Sequence, residues 1–200
     1  MRSAGDNVEI ESANPFSTRF IRPGAVSYVF VDGEDANTLV SRLAGLGWWA
    51  QVVGPHGSGK STLIAHLVEP LERAGHRAAV FALRDGQRRL PRGWEADVAQ
   101  RAAGMVVIDG YEQLSYFSRW WVAWRCCRRR WGLLVTAHHD VGFPTLLRTA
   151  SSLATAQAVV DQLLGDNDRG IDHEAVAESY AGAGSVRETL FALYDRYEKR

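Results

Sequence analysis

Residues 54–62 read GPHGSGKST and match the pattern G-x-x-x-x-G-K-[ST]. Lys60 in this stretch is the only lysine among the first 198 residues, where arginine supplies every other permanent side-chain cation. A compact ammonium on a flexible stem can lie along a folded-back loop and contact two phosphates at once, whereas an arginine is bulkier and its fork is rigid. The pattern therefore predicts a loop that binds the phosphates of a nucleoside triphosphate.

The residues on both sides of this loop fit the prediction. Trp48–Val53 is a short apolar run typical of a buried parallel strand, and residues 61–74 have helical apolar spacing, with a kink or early end expected near Val68 because of Pro70. Strand, loop and helix start would aim several backbone amides at one anion. The chain has no guanine-reading N/T-K-x-D motif, which favours ATP. The residues assigned to the nucleotide are Gly54, Pro55, His56, Gly57, Ser58, Gly59, Lys60, Ser61 and Thr62.

Composition indicates an ordinary globular chain. It has 200 residues, 46% hydrophobic and 23% charged, with a net charge of zero, which gives no overall attraction to nucleic acid or membrane. The N-terminal residues MRSAGDNVEIES lack the apolar segment of a secretory signal, and no apolar run reaches the length of a membrane span. Cys126 and Cys127 are adjacent and are expected to be reduced thiols. We expect a cytoplasmic protein without a membrane span.

Strands and helices are predicted to alternate, which indicates a parallel sheet covered on both faces. The expected architecture is a nucleotide-binding core over residues 1–150, with an N-terminal extension at about 1–47 and a helical, lid-like subdomain over 151–200. Residues 1–14 are expected to lack regular structure. Besides the strand before the loop, strands are predicted at Val26–Val31, Arg77–Leu83, Met105–Asp109, Leu133–Ala137 and Thr145–Thr149. Helices are predicted at residues 34–46, 61–74, 95–102, 112–130, 154–164, 172–180 and 185–198.

Two side chains are candidates for a magnesium site. Magnesium prefers hard oxygen ligands, and Ser61 in the loop supplies a hydroxyl. Asp109 follows the apolar run Met105–Ile108 in the Walker B arrangement, which predicts that its carboxylate holds the ion directly or through water. Gly110 follows Asp109, so the nearest acid that could orient an attacking water is Glu112. The alternative is that Glu112 only stabilises the start of a helix.

A second pair of polar residues ends the strand Leu133–Ala137. Thr136 and His138 lie on the same side of an extended chain, beside the predicted Walker B strand. We expect one of them to contact the γ-phosphate or the attacking water. The sequence does not decide between the two.

Together, GPHGSGKST, VVIDGYEQL and LLVTAHHD resemble the additional-strand class of P-loop ATPases, which includes the AAA+ and ABC-type ATPases. The resemblance covers about residues 48–140. It implies a three-layer α/β/α fold with a five-stranded parallel sheet of order 5-1-4-3-2. It also implies ATP and Mg²⁺ as cofactors.

Two finer comparisons concern a C-terminal segment and the strand that begins at Leu133. Gly184–Glu188 is similar to the AAA+ lid, which implies that Arg187 reaches back to the γ-phosphate and senses the nucleotide. Oligomer assembly is compatible with this class, although no arginine finger precedes the predicted strand at Thr145. The stretch LLVTAHH resembles the switch-histidine strand of ABC ATPases. A transporter ATPase is not favoured, because no LSGGQ-like signature lies between Lys60 and Asp109.

Two arginine-rich segments raise the question of partners. The predicted helix 112–130 contains Trp120, Trp121 and Trp124 among arginines, which could stack nucleic-acid bases and pair phosphates. We favour the interpretation that Trp120 and Trp124 face the core and the arginines are solvated. A protein partner is expected for the chain, and nucleic acid is an alternative that is not favoured. The loop at residues 84–92 carries four arginines and could instead grip an anionic acceptor.

The favoured function is an ATP-binding, Mg²⁺-dependent ATPase of AAA+-like type that acts as a nucleotide-driven switch. Lys60, Glu112, Thr136, His138 and Arg187 are the candidate catalytic or sensing residues. One alternative is a small-molecule kinase that binds its acceptor through residues 84–92. Another is an ATP-binding regulatory module that does not hydrolyse ATP, because Gly110 occupies the usual position of the catalytic acid.

Overall fold

Five parallel strands form the centre of the protein. The computed structural model describes residues 14–30, 33–165 and 171–199. The strands are β1 (Trp49–Val53), β2 (Ala78–Ala82), β3 (Met105–Asp109), β4 (Gly132–Ala137) and β5 (Thr145–Arg148). Their order is β2-β3-β4-β1-β5, and each adjacent pair is parallel. Counted from the opposite edge this is 5-1-4-3-2, so the predicted three-layer α/β fold is confirmed.

The central strands are buried on both faces. Every residue of β4 and the first four of β3 are buried, which explains why they are near-continuous apolar runs in the sequence. Side chains alternate between the two faces of the sheet. The cluster on one face includes Val98, Val106, Ile108, Val122, Leu133 and Val135.

Helices cover both faces of the sheet. None of the helices in the described residues has the length and apolarity required to cross a membrane. A short 3₁₀ turn, Tyr111–Gln113, follows β3. In chain order the α-helices are α1 (Thr18–Ile21), α2 (Ala36–Gly45), α3 (Lys60–Arg73), α4 (Trp94–Gln100), α5 (Tyr116–Arg129), α6 (Leu153–Leu164), α7 (His173–Ala183) and α8 (Val186–Glu198).

The predicted helix over residues 112–130 is interrupted. Leu114 and Ser115 are extended, and α5 begins only at Tyr116. The Ser115 side chain accepts a hydrogen bond from the amide of Ser118, which caps the new helix. The turn at Tyr111–Gln113 is thereby separated from the helix, and Glu112 stays at the end of the sheet.

The early helix end expected near Val68 was wrong, and so was the strand predicted from Val26. Helix α3 does not end near Val68 but continues through Pro70 to Arg73, because burial of Pro70 and Leu71 offsets the one hydrogen bond that proline cannot make. No strand forms over residues 26–30. Val26 makes only an isolated bridge with Pro23, which has no amide hydrogen to donate to a ladder. Val31, the last residue of that predicted strand, lies outside the described residues.

The chain divides into two compact units. Residues 30–150 contain the sheet, and residues 1–29 with 151–200 form the other unit, described here for 14–29, 151–165 and 171–199. Fully buried Phe16 shares a hydrophobic cluster with Val160 and Leu193, so N-terminal and C-terminal segments have a common core. The prediction for residues 1–14 lies outside the described residues except at Asn14, whose side chain donates to the Tyr194 carbonyl at 3.1 Å.

Candidate functional site

The loop between β1 and α3 has the backbone geometry of an anion site. Gly57 and Gly59 have φ angles of +69° and +86°, which only glycine adopts without strain. Within the described part of the chain, the amides of these two glycines have no hydrogen-bond acceptor. The loop ends at the first residue of α3, where the helix dipole is positive. Free amides and a helix N-terminus together favour a bound anion.

The start of the loop is tightly packed between two strands. The Gly54 amide donates to the Ala137 carbonyl at the end of β4, at 3.1 Å. A Cβ atom at Gly54 would lie 2.1 Å from the Thr149 hydroxyl oxygen and 2.5 Å from its carbonyl oxygen. The space beside Thr149 therefore requires glycine at the first position of the motif.

A hydroxyl pair links the loop to the end of β5. The Ser58 hydroxyl donates to the Pro55 carbonyl at 2.8 Å and lies 2.7 Å from the Thr149 hydroxyl. Because Ser58 has one hydroxyl hydrogen, Thr149 is the donor in the second bond. Thr149 was not identified as a site residue from the sequence. The signal used for Thr136, a polar residue at the end of a strand, also applies to it.

Lys60 is buried and makes all three hydrogen bonds that an ammonium can make. Its Nζ donates to the carbonyls of Gly54 at 2.6 Å and Pro55 at 2.7 Å, and it lies 3.1 Å from Nδ1 of His138. Burial lowers the pKa of Lys60 below the ordinary 10.5, and the carboxylates of Glu112 and Asp109 oppose this shift. The ammonium is therefore desolvated at the mouth of the loop, where it can act on an anion.

His138 connects the loop lysine to the predicted catalytic acid. Its Nε2 lies 3.2 Å from Oε1 of Glu112, while Nδ1 faces Lys60. A neutral ring with hydrogen on Nε2 satisfies both contacts, because it donates to Glu112 and accepts from Lys60. The ring also packs on His56, with centroids 3.6 Å apart and planes at 34°. This contact of His56 was not predicted.

One carboxylate oxygen of Glu112, Oε1, contacts His138. The other, Oε2, is buried and has no hydrogen-bond partner among the described residues. The Arg119 guanidinium donates to the carbonyls of Glu112 and Leu114, which fixes the turn that carries the acid. A buried carboxylate oxygen without a donor marks a place for a water or ligand that can donate a hydrogen bond.

Asp109, at the end of β3, and Thr136, in the adjacent strand β4, form a second hydrogen-bonded pair. The fully buried Thr136 hydroxyl donates to Oδ1 of Asp109 at 2.5 Å and accepts from the Gly110 amide at 2.9 Å. Thr136 therefore orients Asp109, whereas His138 contacts the loop. Thr136 and His138, between which the sequence did not decide, therefore have different hydrogen-bond partners.

Three further predicted residues are Ser61, Thr62 and Arg187. Ser61 and Thr62 lie in the first turn of α3 and are partly exposed. Arg187 belongs to the other unit, in α8, where its guanidinium lies 5.6 Å from the centre of the Phe191 ring. Contacts join the predicted residues in two groups: Gly54, Pro55, His56, Ser58, Lys60, Glu112 and His138 form one, and Asp109 with Thr136 forms the other.

A groove lies away from the phosphate loop. It has a volume of about 690 Å³ and is lined by the segment Arg89–Ala96 and by Ser115, Phe117, Ser118, Trp121 and Val122. None of residues 54–62 lines it. The prediction that Trp120 faces the core was wrong, because its side chain is 59% exposed.

Comparisons with known proteins show the fold alone. No protein-family model matches the chain, and no curated protein does either. A structure of the replication initiator DnaA bound to AMPPCP and single-stranded DNA superposes with a TM-score of 0.57 at 11% identity, over 86% of this chain and 63% of that chain. A DNA replication initiation factor gives 0.56 at 10% identity, over 83% and 61%.

A third similar structure is the S. cerevisiae Hsp104–casein complex, with a TM-score of 0.52, 13% identity, and coverage of 89% and 38%. The chain spans less than two thirds of the length of each of these three structures. At such low identity the likeness shows only that these structures share the α/β fold described above.

Proposed function

We propose that this chain is an AAA+-like, Mg²⁺-dependent ATPase that works as a nucleotide-driven switch. The observation that carries the proposal is the buried ammonium of Lys60 at the loop, linked through His138 to Glu112. Further support comes from the AMPPCP in the similar DnaA structure. The cytoplasmic location and the ability to assemble with other copies belong to the same proposal.

The residues of the loop fit the polyphosphate of ATP. The amides of Gly57 and Gly59 supply donors without acceptors, and Lys60 can exchange its carbonyl partners for phosphate oxygens of opposite charge. Ser61 and Asp109 would hold Mg²⁺, which neutralises phosphate charge when it is bound. The hydrogen bond from Thr136 keeps Asp109 in one orientation for this task.

Glu112 is the proposed base for the attacking water. Its free Oε2 can accept a hydrogen bond from a water, while His138 holds Oε1. Because His138 contacts both Glu112 and Lys60, it is the favoured sensor of the γ-phosphate. Arg187, in α8 of the other unit, would contact the γ-phosphate and so respond to the nucleotide state. The switch would act on a protein partner.

The test measures ATP binding and phosphate release on the full chain. Glu112→Gln is expected to keep ATP binding within about twofold and to lower turnover roughly 100-fold, because a general base contributes at least this much. The exposed Glu69 in α3 offers the matched control Glu69→Gln, which should leave both quantities unchanged. Lys60→Met is expected to lose binding, whereas Lys199→Met, at the other lysine of the chain, should not.

The same assay separates the two alternatives. Turnover that requires an added metabolite would indicate a kinase. The kinase is the less favoured function, because none of the phosphate-loop residues 54–62 lines the groove beside residues 89–96. Binding without turnover under any condition would indicate a regulatory module. Absence of ATP binding by the wild-type chain would refute all three.

A further inference from the structure

Helix α5 exposes a row of aromatic side chains. Tyr116, Phe117, Trp120 and Trp121 are 79%, 81%, 59% and 45% exposed, and Trp124 is half-buried beside them. We call these five residues the aromatic face. The opposite side of the helix carries Val122 and Cys126, which are buried in the core. Large apolar side chains exposed together on one helix mark an interaction surface.

The rings of the aromatic face present flat surfaces with cations beside them. The planes of Trp120 and Trp124 differ by 12°, with centroids 6.2 Å apart. The Arg128 guanidinium lies 5.1 Å from the centre of Trp124, and that of Arg125 lies 5.6 Å from Trp121. Alternating π-faces and guanidinium groups are the elements with which proteins hold unpaired bases and their phosphates.

The arginine-rich loop adjoins this face. The backbone of Arg88 accepts a hydrogen bond from the Ser115 amide at 3.0 Å, which joins the loop to the segment before α5. Arg89 and Arg92 line the 690 Å³ groove together with Phe117 and Trp121. The groove therefore has cations on one wall and rings of the aromatic face on the other.

Charge in this region is strongly positive although the chain is neutral. Residues 84–130 contain ten arginines and five carboxylates, whereas the net charge of the whole chain is zero. Arg125 is paired with Glu95. Among the described residues, no carboxylate lies within salt-bridge distance of Arg89, Arg92 or Arg128. These free cations are complementary to a polyanion.

We propose that the aromatic face and the adjoining groove bind single-stranded nucleic acid. Bases stack on Phe117, Trp120 and Trp121, and phosphates pair with the free arginines. The exposed large apolar residues here are all aromatic, while the aliphatic Leu90 and Val122 are buried. A π-face with guanidinium groups beside it suits a base and its phosphate. The site is separate from the phosphate loop and does not require ATP.

Fluorescence anisotropy with labelled oligothymidylate and oligouridylate of about 20 nucleotides tests the proposal on the full chain. Trp120→Ala combined with Trp121→Ala is expected to weaken binding at least tenfold, because each lost stacking contact weakens binding several-fold or more. Phe191→Ala removes an exposed ring in the other unit and should not change affinity. Equal binding by the double variant and the wild type would overturn the proposal.

Salt dependence and competitors complete the test. Arg128→Ala is expected to reduce the slope of log affinity against log salt by about 0.7, whereas the exposed Arg73→Ala should leave it unchanged. Duplex DNA should bind at least tenfold more weakly, since its bases are already stacked. Duplex binding as tight as single-strand binding would overturn the proposal. So would tighter binding of an acidic Glu-Tyr copolymer, which would assign the face to an acidic protein.

Discussion

Lys60 has no spare hydrogen bond before a ligand arrives. Its three donors are used by Gly54, Pro55 and His138, so the loop is closed on its own lysine. A polyphosphate has to replace neutral carbonyl partners, and the exchange is favourable because charged acceptors bind an ammonium more strongly. His138 is the one partner among the three whose side chain also contacts Glu112. The loop can therefore affect the acid through one imidazole.

The lowered pKa of Lys60 predicts a loss of ATP affinity at alkaline pH. Burial favours the neutral amine, so the ammonium loses its proton below pH 10.5, and with it the attraction for phosphate. The dissociation constant of a fluorescent ATP analogue should therefore begin to rise at a pH below 10.5, in a range where the phosphates no longer titrate. Lys199→Met keeps the loop lysine and should show the same rise. A constant affinity in the wild type would contradict the prediction.

The Thr136 hydroxyl joins the ends of strands β3 and β4 through two hydrogen bonds. Replacing Thr136 by valine leaves Oδ1 of Asp109 and the Gly110 amide without this partner. The free energy of unfolding should fall by about 1–3 kcal/mol, and the Mg²⁺ concentration needed for ATP binding should rise. Thr189→Val removes a buried hydroxyl that donates to the Ser185 carbonyl in the other unit.

Denaturant melts and Mg²⁺ titrations of the two variants distinguish these effects. Thr189→Val should lower stability without changing the Mg²⁺ requirement. An unchanged Mg²⁺ requirement in Thr136→Val would limit Thr136 to a role in stability.

The sheet could be predicted because its strands carry a simple signal. Buried parallel strands such as Met105–Asp109 are apolar runs bounded by turn residues, and the class resemblance supplied their order. The break at Leu114 and Ser115 could not be predicted in the same way. Leu114 fits a helical apolar pattern, but it is buried in an extended conformation, and tertiary packing decided its backbone.

The site was predictable in its residue types and not in its contacts. Polar residues at strand ends identified Asp109, Thr136 and His138. Thr136 lies within β4, so its direction is set by the pleat, whereas His138 lies beyond the strand end and its ring is placed by Lys60 and His56. Contacts of this kind depend on residues far apart in the chain, which a single sequence does not specify.

Arg187 tests whether the helical unit responds to the nucleotide. Arg187→Ala is expected to reduce the preference for ATP over ADP about tenfold, because one charge-assisted contact to the γ-phosphate would be lost. Arg196→Ala, also in α8, removes an exposed pair with Glu178 and should preserve the preference. Competition titrations with both nucleotides measure the ratio. An unchanged ratio in Arg187→Ala would remove the lid role.

The hydroxyl bond between Ser58 and Thr149 has a mechanical consequence. Thr149 is the penultimate residue of the sheet-containing unit, and Ser151 begins the return of the chain to the other unit. A shift of the Ser58 side chain is therefore expected to act on Thr149, two residues before the chain enters the other unit at Ser151.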